Sequence, residues 1–160
     1  MDDIANETRI PHCARVKEKV LFVCIHNSAR SQMAEAFLNA ICPEHYCAQS
    51  AGLEPGKLNP VVVEVMRESG IDISRNKTKA VADFLQRGEC FDYVVTVCDE
   101  ASAERCPAFP PPARRLHWGF PDPSLFTGTR AEQLALVRQV RDGIRSHIHL
   151  WCEKSHPRPG

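Results

Sequence analysis

An apolar run that leads into a short turn and then a helix is the feature that most constrains this chain. Residues 20–23 are all apolar, which is typical of a strand buried on both faces of a sheet. Arg30–Ile41 has apolar residues at helical spacing, and Pro43 predicts its end because proline cannot continue a helix. In an open α/β sheet, ligands bind where strands give way to helices. The turn between Cys24 and Arg30 is therefore the first candidate for a functional site.

The remainder of the chain alternates predicted strands with predicted helices. Asn59-Pro60 predicts a helix start, since asparagine caps helices and proline suits their first turn, and Gly70 predicts its end. Thr129 and Glu132 form a predicted capping box at the start of a long helix. This alternation predicts an α/β fold in which right-handed βαβ units build a parallel sheet with helices on both faces. The other predicted segments are strands at 45–51, 91–97 and 115–118, an extended piece at 71–74 and a short helix at 79–86.

Length and composition indicate a single domain with no overall attraction to polyanions. The chain has 160 residues, 43% of them hydrophobic, and its 20 Lys and Arg balance its 20 Asp and Glu. A formal charge of zero gives no field that would draw nucleic acid or a membrane surface. The sequence has no hydrophobic signal region and no apolar run of transmembrane length, so we expect a cytoplasmic protein. We predict a disordered or poorly ordered tail at residues 1–18, a domain at 19–153 and a frayed tail at 154–160.

The turn has the chemistry of an oxyanion-binding loop that carries a nucleophilic thiolate. Five residues between Cys24 and Arg30 allow the backbone to wrap around a tetrahedral anion, with N–H groups and the helix N-terminus pointing inward. The Arg30 fork can hold two anion oxygens, and the combined positive field of the loop, the helix N-terminus and Arg30 favours the thiolate of Cys24. Ser31 can donate a hydrogen bond to that sulfur. The loop lacks glycine, so Asn27 is the residue that we expect at positive φ. The predicted loop consists of Cys24, Ile25, His26, Asn27, Ser28, Ala29 and Arg30.

Two further cysteines and one aspartate extend the candidate site. Cys98 follows a predicted strand and would lie level with Cys24 if the two strands are parallel neighbours, and Cys106 lies eight residues on in a polar loop. Three thiols could pass a disulfide along by ordered exchanges, or the two loop cysteines could be incidental. Asp122, which precedes a proline, could be a general acid or only a turn residue. The chain has no CxxC pair, which argues against a zinc ribbon, and we expect small buried hydrophobes or surface thiols at Cys13, Cys42, Cys47, Cys90 and Cys152.

Five short motifs occur in order along the chain. They are Val-Cys-Ile-His-Asn-Ser-Ala-Arg-Ser-Gln-Met-Ala-Glu at 23–35, Gln-Ser-Ala-Gly at 49–52, Gly-Ile-Asp-Ile-Ser at 70–74, Val-Thr-Val-Cys-Asp at 95–99 with Cys106-Pro107, and His-Trp-Gly-Phe-Pro-Asp-Pro at 117–123. Together they resemble the thioredoxin-coupled arsenate reductases of the low-molecular-weight tyrosine phosphatase superfamily. The resemblance runs from about residue 20 to residue 151. It implies a single domain with a central four-stranded parallel sheet and helices on both faces.

The resemblance also implies a role for each reactive residue. Cys24 would attack arsenate held by the loop and Arg30, while Asp122 protonates the departing oxygen. Cys98 would then attack Cys24 and release arsenite, and Cys106 would attack Cys98 to leave a disulfide that thioredoxin reduces. Phosphate and sulfate are the expected analogues of arsenate at the loop. No organic cofactor or redox metal is implied.

Some members of this family hold a potassium ion below the loop with an Asn, a Glu, a Ser and an Asp. The first three correspond to Asn27, Glu35 and Ser50, but the fourth falls near Lys79, where this chain has no acid. We predict that the Lys79 ammonium takes the place of the ion and pairs with Glu35. The alternative is that Lys79 is a solvated surface residue.

Two other functions would use the same residues differently. A low-molecular-weight protein tyrosine phosphatase would act through a Cys24 phosphoenzyme, but such enzymes usually carry aromatic residues just after the Asp-Pro pair. Here the sequence at that point is Ser124-Leu125-Phe126. A metal- or arsenic-binding module would use the cysteines and the seven histidines, but this function does not explain the oxyanion-binding loop or Asp122.

Overall fold

Four parallel strands form one sheet, and the chain between them crosses over as helices. The computed structural model describes residues 17–157. The strands lie in the order β2-β1-β3-β4, which confirms the predicted parallel α/β sheet. Their bounds are β1 Glu18–Cys24, β2 Tyr46–Gly52, β3 Tyr93–Thr96 and β4 Arg114–His117. The helices are α1 Arg30–Ile41, α2 Pro60–Glu68, α3 Val81–Gln86, α4 Glu100–Ala103 and α5 Arg130–Ser155, with a 3-10 turn at Pro123–Leu125.

Alternation along β1 divides the interior between the two faces of the sheet. Phe22 packs on the face covered by α1, α2 and α5, whereas Leu21 and Val23 pack on the face covered by α3. All three are fully buried, and each such burial contributes about 1.5–3 kcal/mol to folding. We call the two apolar clusters the α1/α5 core and the α3 core. The first includes Met33, Leu38, Val65, Ile144 and Ile148, and the second includes Val81, Phe84, Phe91 and Val94.

The register of the sheet brings the carboxyl ends of neighbouring strands to one edge. Cys24 pairs with Gly52 on β2, and Val23 pairs with Thr96 on β3. Cys98 comes two residues after Thr96, so it emerges from the sheet beside Cys24, as the parallel pairing predicted. The predicted ligand turn and the second cysteine therefore share this edge.

The helix boundaries follow the predicted caps. Asn59 accepts a hydrogen bond at 2.9 Å from the N–H of the second residue of α2. Thr129 and Glu132 make both hydrogen bonds of a capping box at the start of α5, which confirms that prediction. The helix continues to Ser155, past the predicted domain boundary at residue 153, because Cys152 near its end is still buried.

A folded turn stands where the sequence predicted an open polar loop after Cys98. The short helix α4 forms there because the Asp99 carboxylate caps it, accepting the N–H of Ser102 at 3.1 Å. Strand β3 covers Tyr93–Thr96 and is therefore shorter than the predicted 91–97. The predicted extended piece at 71–74 forms no strand. Cys98 and Cys106 are therefore separated by a helical turn.

A disulfide joins two cysteines that the sequence left unassigned. Cys42 follows α1 and Cys152 lies near the end of α5, and their Cα atoms are 6.5 Å apart although 110 positions separate them in the sequence. The expectation of unbonded small hydrophobes is wrong for this pair, because α1 and α5 pack side by side. Cys13 and most of the predicted tail at residues 1–18 lie outside the described residues. No helix within residues 17–157 is long and apolar enough to cross a bilayer.

Candidate active site

The segment after β2 holds the backbone of the loop between Cys24 and Arg30. Four loop carbonyls accept hydrogen bonds of 2.8–3.1 Å from N–H groups of residues 53–59. The pairs are Cys24 with Leu53, Ile25 with Glu54, His26 with Gly56 and Ser28 with Asn59. Asn27 has φ 55°, which confirms the left-handed position expected there. Because these carbonyls are turned toward residues 53–59, the loop N–H groups are left to face the opposite side, where an anion would lie.

Gly52 allows β2 to approach the loop closely. A Cβ atom at this position would lie 2.8 Å from backbone atoms of Ile25, His26 and Asn27. Real Cβ atoms do not come so near to backbone, and the backbone here cannot move aside as a flexible side chain would. A glycine at the end of β2 is therefore required for the loop to take this shape.

The N-terminus of α1 opens toward the loop without a cap from the protein. Ala29 occupies the N-cap position and makes no side-chain capping hydrogen bond. The first N–H groups of α1 therefore keep their capacity to bind an anion, and the helix dipole adds positive potential. Arg30, only 3% exposed, begins this helix. The loop and the helix start thus combine into one cradle for a tetrahedral oxyanion.

Hydrogen bonds lead from Asn27 through Ser31 to the Cys24 sulfur. The side-chain amide of Asn27 donates to Ser31 Oγ at 2.7 Å, and Ser31 Oγ lies 2.8 Å from Cys24 Sγ. Because the hydroxyl oxygen is already an acceptor, its own hydrogen is free to point at the sulfur. Ser31 is thus placed to donate to a Cys24 thiolate, as its position next to Arg30 predicted.

Asn27 is held by a buried glutamine, Gln32, that was not among the predicted site residues. Its Oδ1 accepts hydrogen bonds from Gln32 Nε2 at 3.1 Å and from the N–H of Lys79 at 2.9 Å. Gln32 is fully buried, and it also donates to the Lys77 carbonyl and accepts from Asn76. Its place in the motif at 23–35, on the buried face of α1, is the sequence signal that could have marked it.

Glu35, Ser50 and Lys79 meet below the loop. Ser50 Oγ donates to Glu35 Oε1 at 2.6 Å, and Lys79 Nζ lies 3.6 Å from the same oxygen. The carboxylate therefore faces a protein cation, and the Asn27 carbonyl oxygen already accepts two hydrogen bonds. This donor set does not fit a potassium ion, which would need those oxygens free and no ammonium beside them.

Asp122 faces Arg30 with one oxygen and caps the following turn with the other. Its Oδ2 lies 3.5 Å from Arg30 Nη2. Its Oδ1 accepts the N–H of Ser124 at 2.9 Å and the hydroxyl of Ser124 at 2.8 Å. Arg30 Nη1 also donates to the Phe120 carbonyl at 3.2 Å. The two alternatives left open for Asp122 are thus both compatible with its geometry: it is a turn residue, and one of its oxygens faces Arg30, the predicted anion-binding residue.

Cys98 and Cys106 are free, buried thiols that lie in different cores. Cys98 is fully buried in the α1/α5 core, which also contains Cys24. Burial raises the pKa of Cys98 to about 11, against the opposing charge of Arg30. Cys106 is 5% exposed and belongs to the α3 core, and burial raises its pKa as well. The sheet edge brings Cys98 to Cys24 but leaves Cys106 on the other face.

The other predicted loop residues have peripheral contacts. His26 lies at the rim, with Nδ1 at 2.8 Å from the Glu54 carbonyl oxygen, and Ile25 packs against the α1/α5 core. Phe126 also packs against that core, while Leu125 next to it is 75% exposed. Across residues 17–157, no three His, Cys, Asp or Glu side chains are grouped so that they could hold a metal ion.

Comparison with known families identifies the fold that carries this cradle. The family model of the low molecular weight phosphotyrosine protein phosphatases matches residues 19–156. The chain belongs to this family. The match spans the sheet, the anion cradle and α5, so the predicted family resemblance is confirmed over nearly the whole described structure.

Relatives within the phosphatase family point to one branch of it. The arsenate reductase of Bacillus licheniformis is 41% identical over 138 residues, which are 86% of this chain and 96% of that protein. A solved arsenate reductase in its phosphate-binding state is 29% identical with a TM-score of 0.67, over 86% of this chain and 98% of the other. The thioredoxin-dependent arsenate reductase of Corynebacterium glutamicum is 26% identical with a TM-score of 0.59, over 94% of this chain and 72% of the other.

Proposed function

We propose that this protein reduces arsenate to arsenite through a relay of Cys24, Cys98 and Cys106. The observation that carries the proposal is the position of Cys98, a free thiol at the same sheet edge as the phosphatase-type loop and in the same core as Cys24. A phosphatase needs only the first cysteine, whereas a reductase needs a second thiol within reach of it. The 41% identity to an arsenate reductase over nearly all of that protein supports the same assignment.

The first step forms a bond between Cys24 and arsenic. The Cys24 thiolate, held by the Ser31 hydroxyl, attacks arsenate in the cradle while Arg30 and the loop N–H groups balance its negative charge. Asp122 gives a proton to the departing oxygen, which leaves as water. Arsenic is still pentavalent at this point, because an arsenic–oxygen bond has only been exchanged for an arsenic–sulfur bond.

The second and third steps move electrons through the other two thiols. A Cys98 thiolate attacks Cys24 Sγ, the electron pair of the sulfur–arsenic bond passes to arsenic, and trivalent arsenite leaves. A Cys106 thiolate then attacks Cys98 Sγ and frees Cys24. Since Cys98 and Cys106 lie in different cores, the turn containing α4 must rearrange before their sulfurs can bond.

We assign the final reduction to thioredoxin in a cytoplasmic setting. The two thiols of thioredoxin would reduce the Cys98–Cys106 disulfide and would themselves be oxidised to a disulfide. The thioredoxin-dependent reductase of Corynebacterium glutamicum supports this choice over a small thiol, because its chain is similar in fold to this one.

The decisive experiment follows NADPH oxidation with arsenate, thioredoxin and thioredoxin reductase. We expect sustained turnover by the parent protein and only a single turnover by Cys106→Ser. Cys90→Ser is the matched control, since Cys90 is a free but exposed thiol and should not matter. Normal multiple turnover by Cys106→Ser would contradict the relay. Turnover with glutathione but not with thioredoxin would contradict the choice of thioredoxin as the reductant.

The family's phosphatase activity is the alternative that the shared loop supports. The loop accepts any tetrahedral oxyanion, so slow hydrolysis of small aryl phosphates through a Cys24 phosphoenzyme is expected. The residues after Pro123 argue against a phosphotyrosine site, since Phe126 packs inward and the exposed Leu125 is not aromatic. Cys98→Ser separates the functions, because it should abolish arsenate reduction and leave aryl phosphate hydrolysis unchanged.

We also propose that Lys79 supports the loop as a built-in cation. Its ammonium pairs with Glu35, and its backbone N–H binds Asn27. Lys79→Met should weaken anion binding and lower the melting temperature, while Lys77→Met, two residues away, serves as the control. Potassium should not raise the activity or melting temperature of the parent protein more than sodium at equal concentration, and a specific potassium effect would refute the role.

A further inference from the structure

Arg115, which lies outside the sequence motifs, makes two hydrogen bonds to the segment that carries Cys106. Its Nη1 donates to the Cys106 carbonyl at 2.9 Å, and its Nη2 donates to the Ala103 carbonyl. Ala103 is the last residue of α4, so one guanidinium spans the end of that helix and the cysteine after it. A planar fork is suited to holding two acceptors in a fixed relation.

The surroundings of Cys106 make a neighbouring positive charge significant. The cysteine is 5% exposed and packs in the α3 core, where β1, β2, β3 and α3 contribute apolar side chains. Burial raises the pKa of Cys106, and the charge of Arg115 opposes that rise. On its own segment, Glu104 and Arg105 are exposed, and Arg105 pairs with Glu54. Arg115 is exposed too, but among residues 17–157 it is the charge that opposes the raised pKa of Cys106.

We propose that Arg115 is a positioning residue for the last exchange of the relay: it fixes the Cys106 segment through two carbonyls and sets a positive charge beside the thiol. The inference rests on the proposed function, since only a reacting Cys106 needs such help. The guanidinium takes no proton and no electron. It favours the thiolate that attacks Cys98 Sγ, and it releases the two carbonyls when the α4 turn rearranges.

The test measures how readily Cys106 ionises, without requiring the relay. In a Cys24→Ser/Cys98→Ser protein, the rate of Cys106 alkylation by iodoacetamide is followed against pH and located by peptide mass mapping. Arg115→Gln should move the midpoint of this profile upward by at most about one pH unit, since a nearby opposite charge lowers a thiol pKa and the exposure of Arg115 weakens that effect. Arg115→Lys should move it less, because the charge remains although the fork is lost.

Arg114→Gln is the matched control. Arg114 precedes Arg115 on β4; both residues are exposed, and the Arg114 side chain points to the other face of the strand. Arg114→Gln removes the same charge from the protein as Arg115→Gln, and it should leave the midpoint of the Cys106 alkylation profile unchanged. An equal shift in Arg114→Gln would refute a specific role for Arg115, and so would an unshifted midpoint in Arg115→Gln with an unchanged melting temperature.

Failure of the proposal and failure of the proposed function give different results. If the relay is wrong, Cys106→Ser turns over normally, whatever Arg115 does to alkylation. If the relay is right and Arg115 has no part in it, Arg115→Gln converts the Cys24–Cys98 disulfide into the Cys98–Cys106 disulfide at the parent rate at every pH. With both correct, this conversion slows several-fold near neutral pH in Arg115→Gln and recovers as the pH rises, since thiolate formation then no longer limits the last exchange.

Discussion

The formation of the Cys24–Cys98 disulfide should depend steeply on pH. Burial raises the pKa of Cys98 to about 11. Since only the thiolate attacks, about one Cys98 in ten thousand is reactive at pH 7 and about one in a thousand at pH 8. The pKa lies above this whole range, so each pH unit should raise the rate about tenfold until the pH approaches 11.

The Cys106→Ser variant isolates this step, because the reaction should stop at the Cys24–Cys98 disulfide. Arsenite released in a single turnover is measured after acid quench at pH values from about 7 to about 9, a range chosen below the raised pKa. Aryl phosphate hydrolysis by the same variant is the control, since it uses Cys24 but not Cys98, and it should change far less. A flat arsenite rate beside a flat control would refute the argument that Cys98 deprotonation limits the step.

Three substitutions test the cradle itself. Gly52→Ala forces a Cβ to within 2.8 Å of the loop backbone; it should cost about 1–3 kcal/mol of stability and abolish phosphate binding by calorimetry. Gly143→Ala, which has open space around it, should be neutral or stabilising in the same melts. Ser31→Ala removes the hydroxyl that faces Cys24 and should slow aryl phosphate hydrolysis about 10- to 100-fold, and an unchanged rate would show that the hydroxyl does not assist the thiolate. Asp122→Asn should keep phosphate affinity but lower that rate by about 10²–10⁴, so wild-type kinetics would exclude it as the acid.

The strand, the loop and the helix after it could be predicted because their signals are local. An apolar run, a glycine-free turn and a proline after the helix lie within about 25 residues, and Asn27 was the natural choice for positive φ. The caps at Asn59 and Thr129 were readable for the same reason. Each of these features depends on residues close together in the sequence.

The features that escaped prediction depend on contacts between distant segments. The hydrogen bonds from residues 53–59 to the loop carbonyls involve backbone atoms, which leave no trace in side-chain identity. Gln32 is a site residue only because Asn76 and Lys77 fold over it. To predict the Cys42–Cys152 disulfide, one would have to know that the C-terminal ends of α1 and α5 lie side by side. The division of Cys98 and Cys106 between two cores required the position of the α4 turn relative to the sheet.

In the proposed relay, the sheet that separates Cys98 from Cys106 would also make the surface of the protein depend on its oxidation state. With both thiols reduced and buried on opposite faces, the α4 turn offers an approaching dithiol no disulfide to reduce. Joining the two sulfurs would pull Cys106 out of the α3 core, empty its place there and displace the α4 turn. A reductant could then bind the oxidised protein through its changed surface and would not bind the reduced protein. In such a cycle, the electron donor would not compete with arsenate for the protein, because each would bind a different shape.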